Sequence, residues 1–255
     1  MRRRPLLSLF ASLLPVTLAH ALSGPAQPAA APGAEPALQV GYYEFPPYIY
    51  TDEGGAARGS GAELVRRLAR QAGYRAEFRA LPSARLYQAL QDGSVQLWAG
   101  APGKPELADS TLECEHVLGY VSLNLYRLAS RPAPRLPQDL SGSRLILING
   151  YSYWKAATQL LDDPTLKLEL HRTSTHAAAL QMLLRGRGDY LLDYQAPVEQ
   201  AQREAGMPEL AYEPISHLPV KLVLSRRAGD AERLRRRFDL AYEQLRAAGV
   251  RLELN

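Results

Sequence analysis

The sequence predicts an α/β protein of two lobes, each a mainly parallel sheet flanked by helices, with the chain crossing between them twice. Three observations lead there. Strand-like and helix-like segments alternate from residue 38 onward, an order that implies right-handed crossovers over parallel strands. Three prolines in "RPAPRLPQ", residues 131–138, break that alternation near its middle. The last long helix follows a strand rather than a linker, which lets it return to the first lobe. The expected division is residues 37–128 plus 218–255 for lobe 1 and residues 129–217 for lobe 2.

The elements follow in order. "ALQVGYY" is a short strand. The SGAE at residues 60–63 reads as a capping box, and Leu64, Val65, Leu68 and Ala72 mark the buried face of the helix it opens, which Gly73 stops. Tyr74, Ala76 and Phe78 alternate with charged residues as a strand. Pro82 and Ser83 open a helix carrying Leu86, Ala89 and Leu90, stopped near Gly93, and Val95, Leu97 and Ala99 alternate again. Residues 116–128 are strand-like.

Beyond the prolines, "RLILI" is apolar throughout, as suits a buried parallel strand. Asn149 and Gly150 turn it into a helix with Trp154, Ala157, Leu160 and Leu161. "LKLELH" is a strand, residues 173–175 cap a helix with Leu180, Leu183 and Leu184, and "DYLLDY" is a further buried strand. Pro219 begins "VKLVLS", and residues 230–248 form the last helix, ended by Gly249.

Charge and composition narrow the function. Of 30 basic residues, three are Arg2, Arg3 and Arg4, and the rest exceed the 26 acids by one. A near-neutral body gives no electrostatic support for nucleic-acid binding. Those arginines, the apolar residues 6–18 and Ala19-His20-Ala21 fit an export signal cleaved near Ala21, by the general or the twin-arginine route. Residues 22–36 are a Pro/Ala-rich spacer expected to be disordered. Cys114 is the only cysteine, so no disulfide forms within the chain. No two histidines have metal-ligand spacing, and neither a metal nor a cofactor is expected. A nucleophile elbow around Ser152 fails because Trp154 stands where the second glycine belongs. No phosphate-binding glycine loop is present.

The turns offer binding chemistry instead. Residues 150–153 combine a flexible glycine, the Ser152 hydroxyl and free amides, a setting for a carboxylate. Asp193 closes the buried strand "YLLD" where ligands gather in α/β sheets, and is expected to meet an ammonium or cap a helix. The "YYEFPPYIY" of residues 42–50 is either a wall of a hydrophobic core or a lip of rings that meets something from outside.

In their order and spacing, "VGYYEFPPYIY", "GSGAELVRRLARQAGY", "LPSARLYQALQDGSVQLWAG", "LINGYSYWKA", "MLLRGRGDYLLDY" and "LPVKLVLSRR" make residues 38–255 resemble a bacterial periplasmic solute-binding protein of the type 2 class, in particular the polar amino-acid-binding family 3. The resemblance implies two lobes on two hinge strands, closing over a small amino-acid-like or carboxylate ligand. It further implies a monomeric periplasmic protein that presents this ligand to an importer of the ABC type or to a membrane sensor on another chain. Tyr43, Pro47 and Tyr48 match the family's aromatic-proline loop, where a ring usually covers the ligand, so the resemblance implies a lip rather than a wall. The family commonly has Thr-x-Glu-Arg after the lobe 1 strand, its arginine gripping the ligand carboxylate; here the stretch is "GKPEL", with Leu107 in the arginine's place. Trp98, Tyr151 and Tyr153 then suggest a more aromatic pocket, and Arg58, Arg85 or Lys104 its charge. The expected ligand-binding residues are Tyr43, Glu44, Tyr48, Trp98, Lys104, Tyr151, Ser152, Tyr153 and Asp193, none of them catalytic. The same scaffold hosts cyclohexadienyl dehydratase-like enzymes, for which Glu44, Glu106 and Asp193 are the available acids. A ligand-independent interaction module is the third alternative.

Overall fold

The structure, a computed structural model, describes residues 35–254. The expected export signal and all but the last two residues of the spacer lie outside the described residues.

Lobe 1 opens with strand β1 (Ala37–Tyr42) and a short hairpin, β2 (Tyr50–Thr51) and β3 (Ala57–Arg58). Helix α1 (Ser60–Gln71), β4 (Arg75–Ala80), α2 (Ser83–Asp92), β5 (Leu97–Gly100), β6 (Thr111–Glu113) and β7 (Gly119–Arg127) follow. Lobe 2 holds β8 (Arg144–Ile148), α3 (Lys155–Leu161), β9 (Glu169–Thr173), α4 (His176–Leu184), β10 (Tyr190–Tyr194) and α5 (Gln195–Ala205). Strand β11 (Ala211–Ser225) and α6 (Ala231–Ala247) complete the described chain.

The large sheet runs β4-β1-β5-β11-β7-β10-β8-β9, with β6 paired to β11 beside that path. Its two ends are parallel, β4-β1-β5 in one lobe and β10-β8-β9 in the other, as the buried apolar runs predict. Its middle is antiparallel: β11 pairs with β5 through residues 221–224 and with β7 through residues 211–220, while β7 pairs with β10 through residues 123–126. The two crossings are thus β7 and β11 themselves, side by side. Lobe 1 packs Leu64, Leu68, Leu234 and Phe238 of α1 and α6 on one face of its strands, and Leu86 and Leu90 of α2 on the other. Lobe 2 packs Leu180, Leu183 and Val198 of α4 and α5 on one face, and Leu140 and Tyr153 on the other.

Three local features differ from the sequence reading. The N-cap of α1 is Gly59, not Ser60; the Ser60 hydroxyl is buried without a hydrogen-bond partner, and Glu63 pairs forward with Arg66 at 2.7 Å. The helix after "RLILI" begins at Lys155, which leaves Asn149 and Gly150 as a turn and residues 151–154 outside any helix or strand. A helix, α5, stands between β10 and β11, and β11 begins eight residues before Pro219, running through Pro214 and Pro219 with a bulge between Pro214 and Ser216. Proline lacks an amide donor and weakens a strand signal, yet it is tolerated at bulges and where its nitrogen owes no ladder bond.

Gly59 also fixes the aromatic loop. Its φ of 99° suits glycine, and a Cβ there would fall on the carbonyl oxygens of Pro47 and Tyr48. The Gly61 amide donates to Tyr48 O at 2.7 Å, so the loop sits on the start of α1. Gly59→Ala should therefore lower stability by about 2 kcal/mol or more in urea unfolding, since both backbone conformation and space are lost. Gly55→Ala, at φ 81° with open space around it, should cost about 1 kcal/mol.

Candidate functional site

The lobes meet along a seam of rings. Tyr43 and Phe45 reach from the loop after β1, and Tyr151 and Tyr194 from lobe 2; their centroids lie 5.5 Å (Tyr43–Tyr151) and 5.1 Å (Phe45–Tyr194) apart. Phe45 is packed among the lobe 2 core residues, although its loop is anchored on α1 of lobe 1. Phe45 and Tyr48 stack at 6.1 Å. Trp98, the second residue of β5, tilts against Tyr43 and Tyr87 at 6.1 and 5.5 Å. The loop is therefore a lip that already touches the opposite lobe.

Hydrogen bonds cross the same seam. The Tyr151 hydroxyl donates to the Glu44 carbonyl oxygen at 2.9 Å, and the Ser83 amide donates to Gly150 O at 3.1 Å. Lys104 Nζ donates to Ser152 Oγ at 2.9 Å, and the Tyr87 hydroxyl shares a 2.6 Å bond with the same oxygen. Of Arg58, Arg85 and Lys104, only Lys104 faces inward: Arg58 pairs with Asp52 and Arg85 is exposed, whereas Lys104 is 6% exposed. Lys104 Nζ also lies over the rings of Tyr87 and Trp154, at 5.4 and 5.5 Å. No carboxylate among the described residues comes within 4 Å of it. Burial holds this ammonium below the ordinary lysine value, and the Glu106 charge partly opposes that.

Asp193 is fully buried and occupied. Its Oδ1 accepts from the Tyr194 amide at 2.7 Å and its Oδ2 lies 2.7 Å from His176 Nδ1. His176 Nε2 is 3.0 Å from the Tyr151 hydroxyl. Because that hydroxyl donates to Glu44 O, Nε2–H donates to the tyrosine oxygen, and one further proton lies between Nδ1 and Oδ2. Asp193, His176 and Tyr151 thus form one chain, neutral overall, that ends on the backbone of lobe 1.

The remaining expected residues divide. Tyr43, Tyr48, Trp98 and Lys104 line a cavity of about 60 Å³ inside the seam, also bounded by Val121 and Tyr194. Ser152 joins them through Lys104. Glu44 lends its carbonyl, but its carboxylate accepts from the amide and hydroxyl of Thr51 at 2.9 and 2.5 Å. The Tyr153 hydroxyl accepts from the Ile148 amide at 3.0 Å inside lobe 2, away from the inner cavity. Leu107 is a core residue beside α2, 2% exposed. Phe45, Tyr87, His176 and Tyr194 are at the seam without having been singled out: Tyr87 reads as the apolar face of an amphipathic helix, and His176 as the first residue of a helix capped by Thr175. Two larger pockets flank the seam. One, about 500 Å³, lies between Tyr43, Pro82, Tyr151 and His176; the other, about 580 Å³, between Lys104, Ser152, Trp154 and Arg172.

The chain from Asp193 generates a test. Burial raises the Asp193 carboxyl above its usual range, while the hydrogen bond and charge of His176 pull it down. A raised carboxyl keeps in the fold a proton that the unfolded chain releases, so stability falls as pH climbs from the ordinary value to the raised one. His176→Ala removes the opposing pull and leaves a buried carboxylate without its partner. Unfolding at pH 7 should show a loss of about 3–5 kcal/mol, shrinking towards pH 4, and Asp193→Asn added to it should restore part of the loss.

Residues 38–110, from β1 to just before β6, match the model of the bacterial extracellular solute-binding proteins, family 3. No curated protein sequence matches the chain. Among solved structures, the chain is similar to a histidine kinase sensor domain with similarity to periplasmic binding proteins, at 25% identity and a TM-score of 0.68, over 84% of this chain and 91% of that one. ArgBP from T. maritima, as its P235GK mutant, aligns at 18% identity and TM-score 0.66 over 84% and 90% of the two chains, a likeness of fold. An ancestral amino acid-binding protein, a precursor of cyclohexadienyl dehydratase, aligns at 19% and 0.64, again over 84% and 90%. The likeness in sequence to the family 3 solute-binding proteins thus covers residues 38–110, and the likeness in fold to periplasmic binding proteins covers 84% of the chain.

Proposed function

We propose that this protein captures a small amino-acid-like or carboxylate ligand between its lobes and presents the closed form to a membrane importer or sensor on a separate chain. The observation that carries this reading is the seam itself. Its bridging hydrogen bonds have one partner in either lobe, and both crossings are adjacent strands, so opening breaks a defined set of contacts, the packing of Phe45 on the lobe 2 core among them. A ligand that touches both walls shifts the balance towards closure by the difference in its affinity for the two states. We place the bend in β7 and β11 near residues 119–122 and 216–220, before β7 joins β10. The protein would act in the periplasm, as a monomer, after removal of its leader.

The likeness to a sensor domain gives sensing the same standing as import. The enzyme alternative has less support, because Glu44 is tied to Thr51 and Asp193 to His176, which leaves only the exposed Glu106 as a free acid.

The test is a melting screen of the purified protein against amino acids, polyamines, opines and small organic acids, joined to X-ray scattering. At 1,000 times its dissociation constant a ligand adds about 4 kcal/mol, or about 8–16 °C at this size. The ligand that shifts melting should also leave the protein at least as compact as the closed form. Silence across the panel from a cooperatively melting protein would overturn the receptor reading.

A further inference from the structure

The cavity inside the seam has one charged group in its wall, Lys104, and among the described residues no carboxylate pairs with it. Its wall is otherwise apolar and aromatic, with Tyr43, Trp98, Val121, Tyr194 and Val220 contributing, and contains no carboxylate. An ammonium with three donors is left with one hydroxyl oxygen and two ring faces. Burying a cation without a counter-charge costs several kcal/mol. The group that would answer it is an anion arriving from outside.

The same seam has no place for an ammonium. Of the acids that might receive one, Asp193 is engaged by His176 and the Tyr194 amide and Glu44 by Thr51, while Glu106 is exposed and lies outside the lining of the inner cavity. By a measure on which one water takes about 10–15 Å³, the cavity of about 60 Å³ holds about five heavy atoms. That is the size of a short branched aliphatic tail, or of one ring after small side-chain shifts.

From these facts we infer that the ligand is a small apolar monocarboxylate without an amino group, its carboxylate on Lys104 Nζ and Ser152 Oγ and its tail in the aromatic cavity. Lys104 belongs to lobe 1 and Ser152 to lobe 2, so the carboxylate would clamp the closed form. A lysine grips as a point charge rather than a fork, so the apolar tail must supply much of the selectivity. The pocket of about 580 Å³ lined by Lys104, Ser152, Lys155 and Arg172 shares Lys104 with the inner cavity, and on this inference it is the acid's way in. This inference rests on the receptor reading and narrows it.

Calorimetry and melting with isovalerate and benzoate, against isovaleramide, valine and arginine, test it on the purified full chain. The acids should bind and the amide should not, and each acid should bind at least tenfold more tightly than valine. Lys104→Met should fold, since exchanging a buried charge for an apolar side chain of like size is commonly neutral or stabilising. It should weaken acid binding at least thirtyfold, and Lys104→Arg should recover part of it. Equal binding of acid and amide, or full binding by a folded Lys104→Met, would overturn the inference. If valine or arginine binds and neither acid does, this inference fails while the receptor reading stands. If nothing on this or the wider panel binds, both fail.

Discussion

Everything in this molecule hangs on the antiparallel ladder between β7 and β11. Nine registered pairs join them, from Ala211 with Arg127 to Val220 with Gly119. At one end β11 continues into the lobe 1 sheet beside β5, and at the other β7 continues into the lobe 2 sheet beside β10. Two crossings bound together oppose sliding of one lobe past the other, and so keep the same residues facing each other across the seam. The aromatic loop, the turn after β8 and the end of β10 become one site only because this ladder holds them opposite one another.

The seam treats its two charges differently, and the difference defines the site. Asp193 is deep, paired and neutralised within its own lobe, so it acts as a support that aims Tyr151 at lobe 1 through His176. Lys104 is almost as deep but faces the gap, with only a hydroxyl and ring faces for company. Rings lower the cost of such a cation through their quadrupoles without neutralising it. A site that leaves a cation short of partners, beside acids that are already satisfied, favours an anion and disfavours a zwitterion.

The sequence exposed the architecture because hydrophobic period and helix stops are local signals. "RLILI" and "DYLLDY" became buried parallel neighbours, and Gly73 and Gly93 end their helices. The local signals failed where tertiary contacts overrode them. Ser60 looked like a cap until Gly59, beneath the aromatic loop, took that place; Pro214 and Pro219 hid the first half of β11, whose partner β7 lies about ninety residues earlier in the chain.

The sequence by itself determined the two-lobed α/β plan, the run of rings at residues 42–50 and the apolar residue at Leu107, since each depends on residue type and order. Only the tertiary structure decided which charged groups are satisfied and which face the gap. Lys104 over Arg58 and Arg85, and His176 as the partner of Asp193, are matters of distance between segments far apart or differently turned, and composition carries no information about them. Burial then sets the energy of each charge, and burial belongs to the fold.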